Sequence, residues 1–226
     1  MLNDHLWDSL EQADSFVQSI EVFWNADSHP KSCNSEYFKV NSLEKASSFA
    51  NSFTECWVVL VLTSYSRCDH SYWNQTLKKA LGFAKSFAEC FSLKRFIGGD
   101  KTLEDAVLTK ALEFADTIIE CNEIYFYAPK EKFNETFAGY AYASECYTCE
   151  TREGPIQIMA INKAMEIAEL LPPEERFEGY ISIAERISFD SGFAKKVIGR
   201  LRELADSPGQ ESQIGKCVKS KRFTDI

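Results

Sequence analysis

Two cysteines separated by two residues, Cys146 and Cys149, form the sequence pattern most typical of chemistry in this chain. A Cys-x-x-Cys pair can supply half of a structural zinc site or the thiols of a redox centre. A structural zinc site needs a second pair of ligands, and the chain contains no other Cys-x-x-Cys. A redox centre of the thioredoxin type needs strands alternating with helices, which the sequence does not predict. We therefore treat Cys146 and Cys149 as candidate metal ligands, but expect them to be free thiols at a helix end.

The remaining polar residues offer few catalytic combinations. His29 and Cys33 lie in one predicted linker, and Cys68 and His70 lie in another, so together they could bind zinc. Their spacing does not require such a site, and we expect surface loop residues instead. The chain has 3 histidines in total. No Cys-His or Ser-His-Asp arrangement is evident, and we predict no catalytic residue and no cofactor.

The last three residues, Thr224, Asp225 and Ile226, form a different kind of candidate site. A Thr two positions before an apolar C-terminal residue is the pattern that PDZ domains bind by strand addition. These three residues are the candidate partner-binding residues of the sequence.

Composition and charge restrict the class of protein. The chain has 226 residues, of which 45% are hydrophobic and 26% charged, as in globular proteins. Its formal net charge of -9 argues against a nucleic-acid partner, which would require clustered Lys and Arg. The longest apolar run, residues 57–62, is too short to span a membrane, and the N-terminus does not resemble a secretory signal. We expect a cytoplasmic protein with reduced cysteines and no membrane partner. Export as an effector without a signal stays open.

Similar segments recur along the chain. They begin at Leu10 (LEQADSFVQSIEVFW), Leu43 (LEKASSFANSFTECW), Leu77 (LKKALGFAKSFAEC), Leu108 (LTKALEFADTIIEC) and Ile161 (INKAMEIAELLPP). The first four starts follow one another at nearly constant intervals, which is typical of repeat architectures.

The apolar positions within each copy have helical spacing. At about 100° per residue they share one face, so we predict one amphipathic helix per copy. Cys56, Cys90 and Cys121 recur at the edge of that face, where we expect them to pack as small hydrophobic residues, with Phe23 in the same place in the first copy. The recurring Glu55, Glu89 and Glu120 fall on the opposite face. We predict that they are solvated rather than catalytic.

These segments predict an all-α fold. We expect an antiparallel helical-repeat array, solenoid-like, of about seven to nine helices over residues 1–206. An irregular helical bundle is the alternative. The polar residues 207–226 are predicted to be a disordered tail. Residues 25–41 are predicted to be mostly irregular, and residues 58–62 fit either a strand or a helix end.

The segments KALGFAKSF, KALEFADTI and KAMEIAELLPPEERFEGYISIAERI give the chain a family-level likeness. It resembles α-helical repeat proteins of the tetratricopeptide and HEAT-like kind over roughly residues 10–205. The tetratricopeptide signature is not matched residue by residue, so no binding residue can be transferred. The resemblance implies antiparallel helices with a concave surface that recognises proteins.

The function predicted from the sequence is a non-catalytic, protein-binding scaffold or adaptor. One alternative is an enzyme, or a helical bundle that binds a metal or cofactor in a pocket that the sequence does not reveal. Another is an acidic effector that mimics nucleic acid and binds a basic partner.

Overall fold

The computed structural model of the chain describes residues 2–28, 34–65, 72–129, 131–132, 151–187 and 192–220. These residues form twelve α-helices, a 3₁₀ turn at Lys94–Phe96 and one pair of two-residue strands. The helices are α1 (Leu2–Gln12), α2 (Phe16–Asp27), α3 (Ser35–Phe49), α4 (Phe53–Tyr65), α5 (Trp73–Phe83), α6 (Phe87–Leu93), α7 (Lys101–Phe114), α8 (Ile118–Tyr127), α9 (Pro155–Leu170), α10 (Pro173–Ala184), α11 (Gly192–Leu204) and α12 (Pro208–Ser220). The strands β1 (Glu131–Lys132) and β2 (Thr151–Arg152) pair antiparallel.

The described part of the chain is all-α apart from this strand pair, as predicted, but it has more helices than the seven to nine expected. The prediction of one helix per copy was wrong. In the copy beginning at Leu43, α3 ends at Phe49 and α4 begins at Phe53, so the copy covers the end of one helix, a turn and the start of the next. A helical period alone does not reveal this break, because apolar residues continue at helical spacing across the turn.

The first copy was also placed one helical turn too late. In the copies beginning at Leu43 and Leu77, the first helix ends six residues after the leucine, whereas α1 ends only two residues after Leu10. The residue in α1 that corresponds to those leucines is Leu6, which is buried like them. With this correction Ser19, and not Phe23, corresponds to the recurring cysteines.

The chain divides into two compact units at residues 107/108, within α7. In the first unit, α1 packs on α2 and α3, α2 on α3, α3 on α4, and α4 on α5. In the second unit, α8 packs on α9 and α10, α9 on α10, and both α11 and α12 on α10. Helices adjacent in sequence therefore pack together inside each unit.

Each unit has a core built from the recurring apolar positions. In the first unit, the fully buried side chains include Phe38, Leu43, Leu60 and Leu77. In the second, they include Leu108, Ile124, Ile183 and Leu201. At Gly179 of α10 an added Cβ would lie 2.9 Å from Leu171 Cδ1 and 3.0 Å from Ile118 Cδ1, so α10 packs closely here and both side chains would have to shift to admit a larger residue.

Three local predictions can be compared with these helices. Residues 58–62 belong to α4 and are helical. Residues 25–41 are not mostly irregular, since α2 extends to Asp27 and α3 begins at Ser35. Pro208–Ser220, in the predicted disordered tail, form α12, with Ile214 buried. The apolar Ile214 in an otherwise polar segment is what ties this helix to the second unit.

Candidate functional site

The residues that the sequence singled out for chemistry lie outside the described residues. This applies to Cys146 and Cys149, to the C-terminal Thr224, Asp225 and Ile226, and to His29, Cys33, Cys68 and His70. These predictions therefore stay predictions.

The recurring cysteines are described, and all three are buried. Cys56, Cys90 and Cys121 have 0% of their surface exposed. Burial raises the pKa of the Cys56 thiol and that of the Cys121 thiol to about 11 each, with smaller opposing effects from Lys79 and Lys163. Because the thiolate is the nucleophile, thiols with such pKa values are unreactive at neutral pH. The expectation that these residues pack as small hydrophobic groups fits their burial.

Five of the turns between helices share one hydrogen-bonding pattern, a variant of the capping box in which the returning side chain binds the N–H before the N-cap residue; we call each of them a capping box. A Ser or Thr side chain caps the second helix by accepting the N–H three residues further on, at 3.2 to 3.4 Å. The side chain of the Gln or Glu three positions after the Ser or Thr accepts the backbone N–H of the residue that precedes the Ser or Thr, at 2.6 to 2.9 Å. The pairs are Ser15 with Gln18, Ser52 with Glu55, Ser86 with Glu89, Thr117 with Glu120 and Ser207 with Gln210.

These boxes correct the interpretation of the recurring glutamates. Glu55, Glu89 and Glu120 are half-buried capping residues at the start of α4, α6 and α8, and not members of a solvated face. The fifth box, with Ser207 and Gln210, also identifies a further copy of the repeat in α11 and α12. The sequence of this copy resembles the other copies only weakly.

A second recurring contact joins the first helices of neighbouring copies. A lysine ammonium donates to two carbonyl oxygens in the last turn of the first helix of the preceding copy. The contacts are Lys45 Nζ with Leu10 O at 2.7 Å and Glu11 O at 3.0 Å, Lys79 Nζ with Ser47 O at 2.8 Å and Ser48 O at 3.2 Å, and Lys163 Nζ with Leu112 O at 2.6 Å and Glu113 O at 3.2 Å. A helix C-terminus carries unpaired carbonyls and partial negative charge, so a cation is favoured there. We call these contacts the lysine clamps.

Arg200 occupies the same repeat position as these lysines and makes a related contact. Its guanidinium binds the Glu169 carboxylate in the last turn of α9 through two hydrogen bonds, of 2.7 and 3.0 Å. The Tyr180 hydroxyl donates to the same carboxylate at 2.7 Å. Arg200 and, to a lesser extent, Tyr180 hold the pKa of Glu169 below its usual range, while burial and then Glu169 raise the pKa of Tyr180 to about 12.

Many polar side chains of the described helices are engaged in the capping boxes and lysine clamps, which stabilise the fold. Residues that could bind a partner lie elsewhere on the exposed surface. Trp7 of α1 and Tyr37 of α3 are 39% and 48% exposed, and their ring centroids lie 5.1 Å apart. Trp7 also packs edge-on against the buried Phe38, at 5.1 Å. The two exposed rings, which we call the aromatic pair, are thus fixed to the core and accessible to a ligand.

Negative charge lies beside the aromatic pair. Glu11 follows Trp7 by four residues on α1, and Glu44 follows Tyr37 by seven on α3, so both carboxylates share the face of the aromatic rings. Both side chains are exposed, and neither makes an ion pair with a described residue. We refer to Trp7, Tyr37, Glu11 and Glu44 together as the α1–α3 surface.

Two described lysines of α3 near this surface already have hydrogen-bond partners. Lys45 donates to backbone carbonyls in its clamp, and Lys39 lies 2.9 Å from both Asp27 and Glu36. The hydrogen bond that Lys39 donates to Asp27, with a further contribution from Glu36, raises the pKa of Lys39 despite its burial. The α1–α3 surface therefore combines aromatic rings with two carboxylates that outnumber the one ammonium, that of Lys45, beside them.

A small polar cleft of about 200 Å³ lies between α1 and α2. It is lined by Ser9, Gln12, Ala13, Gln18, Glu21, Val22 and Asn25. Gln18 is committed to its capping box. The cleft is open and contains one carboxylate, so it has few groups that could bind a ligand.

Two kinds of site are not found among the described residues. No three or more His, Cys, Asp or Glu side chains there are arranged to hold a metal ion. Among the described helices, none combines the length and the apolar character needed to cross a membrane.

Comparison of the chain with protein-family models, with curated proteins and with solved structures found no match. Functional inference therefore relies on the residues themselves.

Proposed function

We propose that this protein is a non-catalytic protein-binding scaffold whose helix pairs stack, within each unit, as an antiparallel solenoid-like array. The observation that carries the proposal is the α1–α3 surface, where two aromatic side chains are exposed on helices that the core and a lysine clamp hold in place. A class-level relationship to helical-repeat proteins of the tetratricopeptide and HEAT-like kind is part of this proposal.

Aromatic exposure supports binding because Trp and Tyr are enriched at the centres of protein interfaces. Such residues contribute large contact area and lose little conformational entropy on binding when they are already ordered. Trp7 is ordered by Phe38 and Tyr37, at ring distances of 5.1 Å each. The aromatic pair therefore meets the requirements of a binding hot spot.

The clamps support the stacking part of the proposal. Lys45 joins α3 to α1, Lys79 joins α5 to α3, and Lys163 joins α9 to α7, each through the same two carbonyl positions before the end of the earlier helix. A contact that recurs at equivalent positions gives successive first helices equivalent offsets, which is the local geometry of a repeat array.

The test is affinity purification with the full-length protein as bait, followed by direct binding of the purified partner. We expect a saturable complex with a protein that the Trp7→Leu/Tyr37→Leu variant binds at least tenfold more weakly. Trp24→Leu is the matched control, because Trp24 is 52% exposed on α2 and lies outside the α1–α3 surface. A partner that binds both variants as tightly as the unaltered protein, or turnover of a small molecule instead of partner binding, contradicts the proposal.

A further inference from the structure

We propose that the α1–α3 surface binds a cationic peptide segment, with an arginine or lysine side chain on the aromatic pair and a second one between Glu11 and Glu44. This inference rests on the proposed function and adds the chemical class of the partner.

The aromatic pair provides the first position. A guanidinium or ammonium group over the face of Trp or Tyr is attracted by the ring quadrupole. The protein uses the same interaction internally, since the Arg95 guanidinium carbon lies 4.1 Å from the centre of the Trp57 ring. At the α1–α3 surface, in contrast, Trp7 and Tyr37 are partly exposed, and Lys39 and Lys45 already donate to Asp27, Glu36 and backbone carbonyls.

The carboxylates provide the second position. The clamp of Lys45 brings the last turn of α1 alongside α3 and thereby places Glu11 near the helical turn that carries Glu44. The clamp ammonium donates to backbone carbonyls and forms no ion pair with either carboxylate, so two carboxylates stand against this one positive charge. A cation held between the two carboxylates would gain charge-assisted hydrogen bonds.

The distance between the two positions predicts the spacing of the ligand. Glu11 lies about 6 Å along the helix axis from Trp7, and Glu44 lies about 10 Å from Tyr37, at a rise of 1.5 Å per residue. Successive residues of an extended peptide are about 3.3 Å apart. Basic residues two or three positions apart in an extended segment therefore match the surface.

The experiment measures fluorescence anisotropy of short labelled peptides binding to the full-length protein. The probe peptide alternates Arg with Ser, and the matched peptides alternate Gln or Glu with Ser. We expect the Arg peptide to bind, the Gln peptide to bind at least tenfold more weakly, and the Glu peptide not to bind.

Two sets of variants separate a site from general attraction to an acidic protein. Trp7→Leu/Tyr37→Leu changes no charge, and we expect it to weaken Arg-peptide binding about tenfold, as loss of a cation–π contact to each ring predicts. Glu11→Gln/Glu44→Gln should weaken binding at least tenfold, whereas Glu21→Gln/Glu174→Gln, which removes the same charge from exposed positions on α2 and α10, should weaken it less than twofold. Circular dichroism confirms that each variant is folded.

Equal loss of affinity in the two glutamate variants, or unchanged affinity after removal of the aromatic pair, would overturn the inference, since either result indicates non-specific attraction. The two proposals fail differently. If a protein partner depends on Trp7 and Tyr37 but not on Glu11 and Glu44, and the Arg peptide does not bind, the scaffold function stands and the cationic ligand is wrong. If the Arg peptide binds at this surface but no protein partner exists, the scaffold function fails.

Discussion

At the scale of single residues, the structure separates recurring side chains into buried ones and exposed ones. Phe83 and Phe114 belong to the recurring apolar positions, but Phe83 is 36% exposed and Phe114 is half-buried. Both phenylalanines are the last residue of the first helix in their copies, where the chain turns toward the next helix. The side chain at that position lies at the edge of the packed layer, which periodicity alone does not indicate.

Phe38→Ala and Phe83→Ala therefore form a matched pair. Phe38 is 0% exposed, so its truncation should lower the free energy of unfolding by about 3–5 kcal/mol. Phe83→Ala removes less buried surface and should cost roughly 1 kcal/mol. Urea denaturation followed by circular dichroism measures both. Equal losses would place Phe83 in the core after all.

The buried thiols predict a pH dependence of stability. An unfolded Cys has a pKa of about 8.5, whereas the pKa values of Cys56 and Cys121 in the folded protein are raised to about 11. The folded state therefore holds these protons more tightly, and stability is retained below the unfolded pKa and lost as the pH rises toward 11.

The measurement is the free energy of unfolding between neutral pH and pH 11 in the unaltered protein and in Cys56→Ser/Cys121→Ser. We expect the unaltered protein to lose more stability over this range than the variant. Serine is a suitable replacement because Ser19 occupies the equivalent position in α2 and donates to the Ser15 carbonyl at 2.9 Å. Identical pH profiles would show that these thiols do not titrate with unfolding.

At the scale of helices, two polar contacts recur and position many of the elements. The capping box fixes where the second helix of a pair begins, and the lysine clamp fixes where the first helix lies against its predecessor. Both devices use residues that recur in the sequence, Ser or Thr with Glu or Gln for the box and Lys for the clamp. The type and spacing of these residues are evident in the sequence. The backbone groups that they bind become clear only from the structure, where α3 ends at Phe49 and α4 begins at Phe53.

Loss of one capping box should destabilise the protein measurably. Ser52→Ala removes the acceptor for the Glu55 N–H and should cost about 0.5–2 kcal/mol. Glu44→Ala, on the exposed face of the preceding helix, should cost less than about 0.5 kcal/mol. Thermal or urea unfolding of both variants provides the comparison, and a neutral Ser52→Ala would show that the box does not contribute.

Loss of one clamp can be tested with adjacent lysines. Lys79→Met keeps most of the apolar part of the side chain but leaves the Ser47 and Ser48 carbonyls without the ammonium, so we expect a loss of about 1–3 kcal/mol. Lys78→Met is the control, because Lys78 is exposed on the same helix and donates no hydrogen bond to a described residue. Similar effects from the two substitutions would contradict a specific role for the clamp.

At the scale of the whole molecule, the chain consists of two compact units, each with its own core. Contacts within each unit join helices that are close in sequence. In repeat proteins, stability is approximately the sum of terms from each repeat and its nearest neighbours. We therefore expect a clamp substitution to destabilise mainly the two helices that the clamp joins.

Hydrogen exchange tests this locality. Lys79→Met should increase amide exchange in α3 and α5 and leave α9 and α10 unchanged, whereas Lys163→Met should increase exchange in the C-terminal part of α7 and in α9. Mass spectrometry of peptic peptides resolves these segments. Faster exchange along the entire chain in either variant would show that the protein opens as one cooperative unit.

The sequence by itself determined the helical class, most of the recurring copies and the residues at their repeat positions. These follow from local physics, since the 3.6-residue period places apolar side chains on one face and turn residues interrupt it. Only the tertiary structure decided where each copy breaks into two helices, that the first copy begins at Leu6, and that the glutamates cap helices. It also brought Trp7 and Tyr37, from different helices, into contact. Such contacts depend on how helices pack across a long sequence separation, which no local pattern encodes.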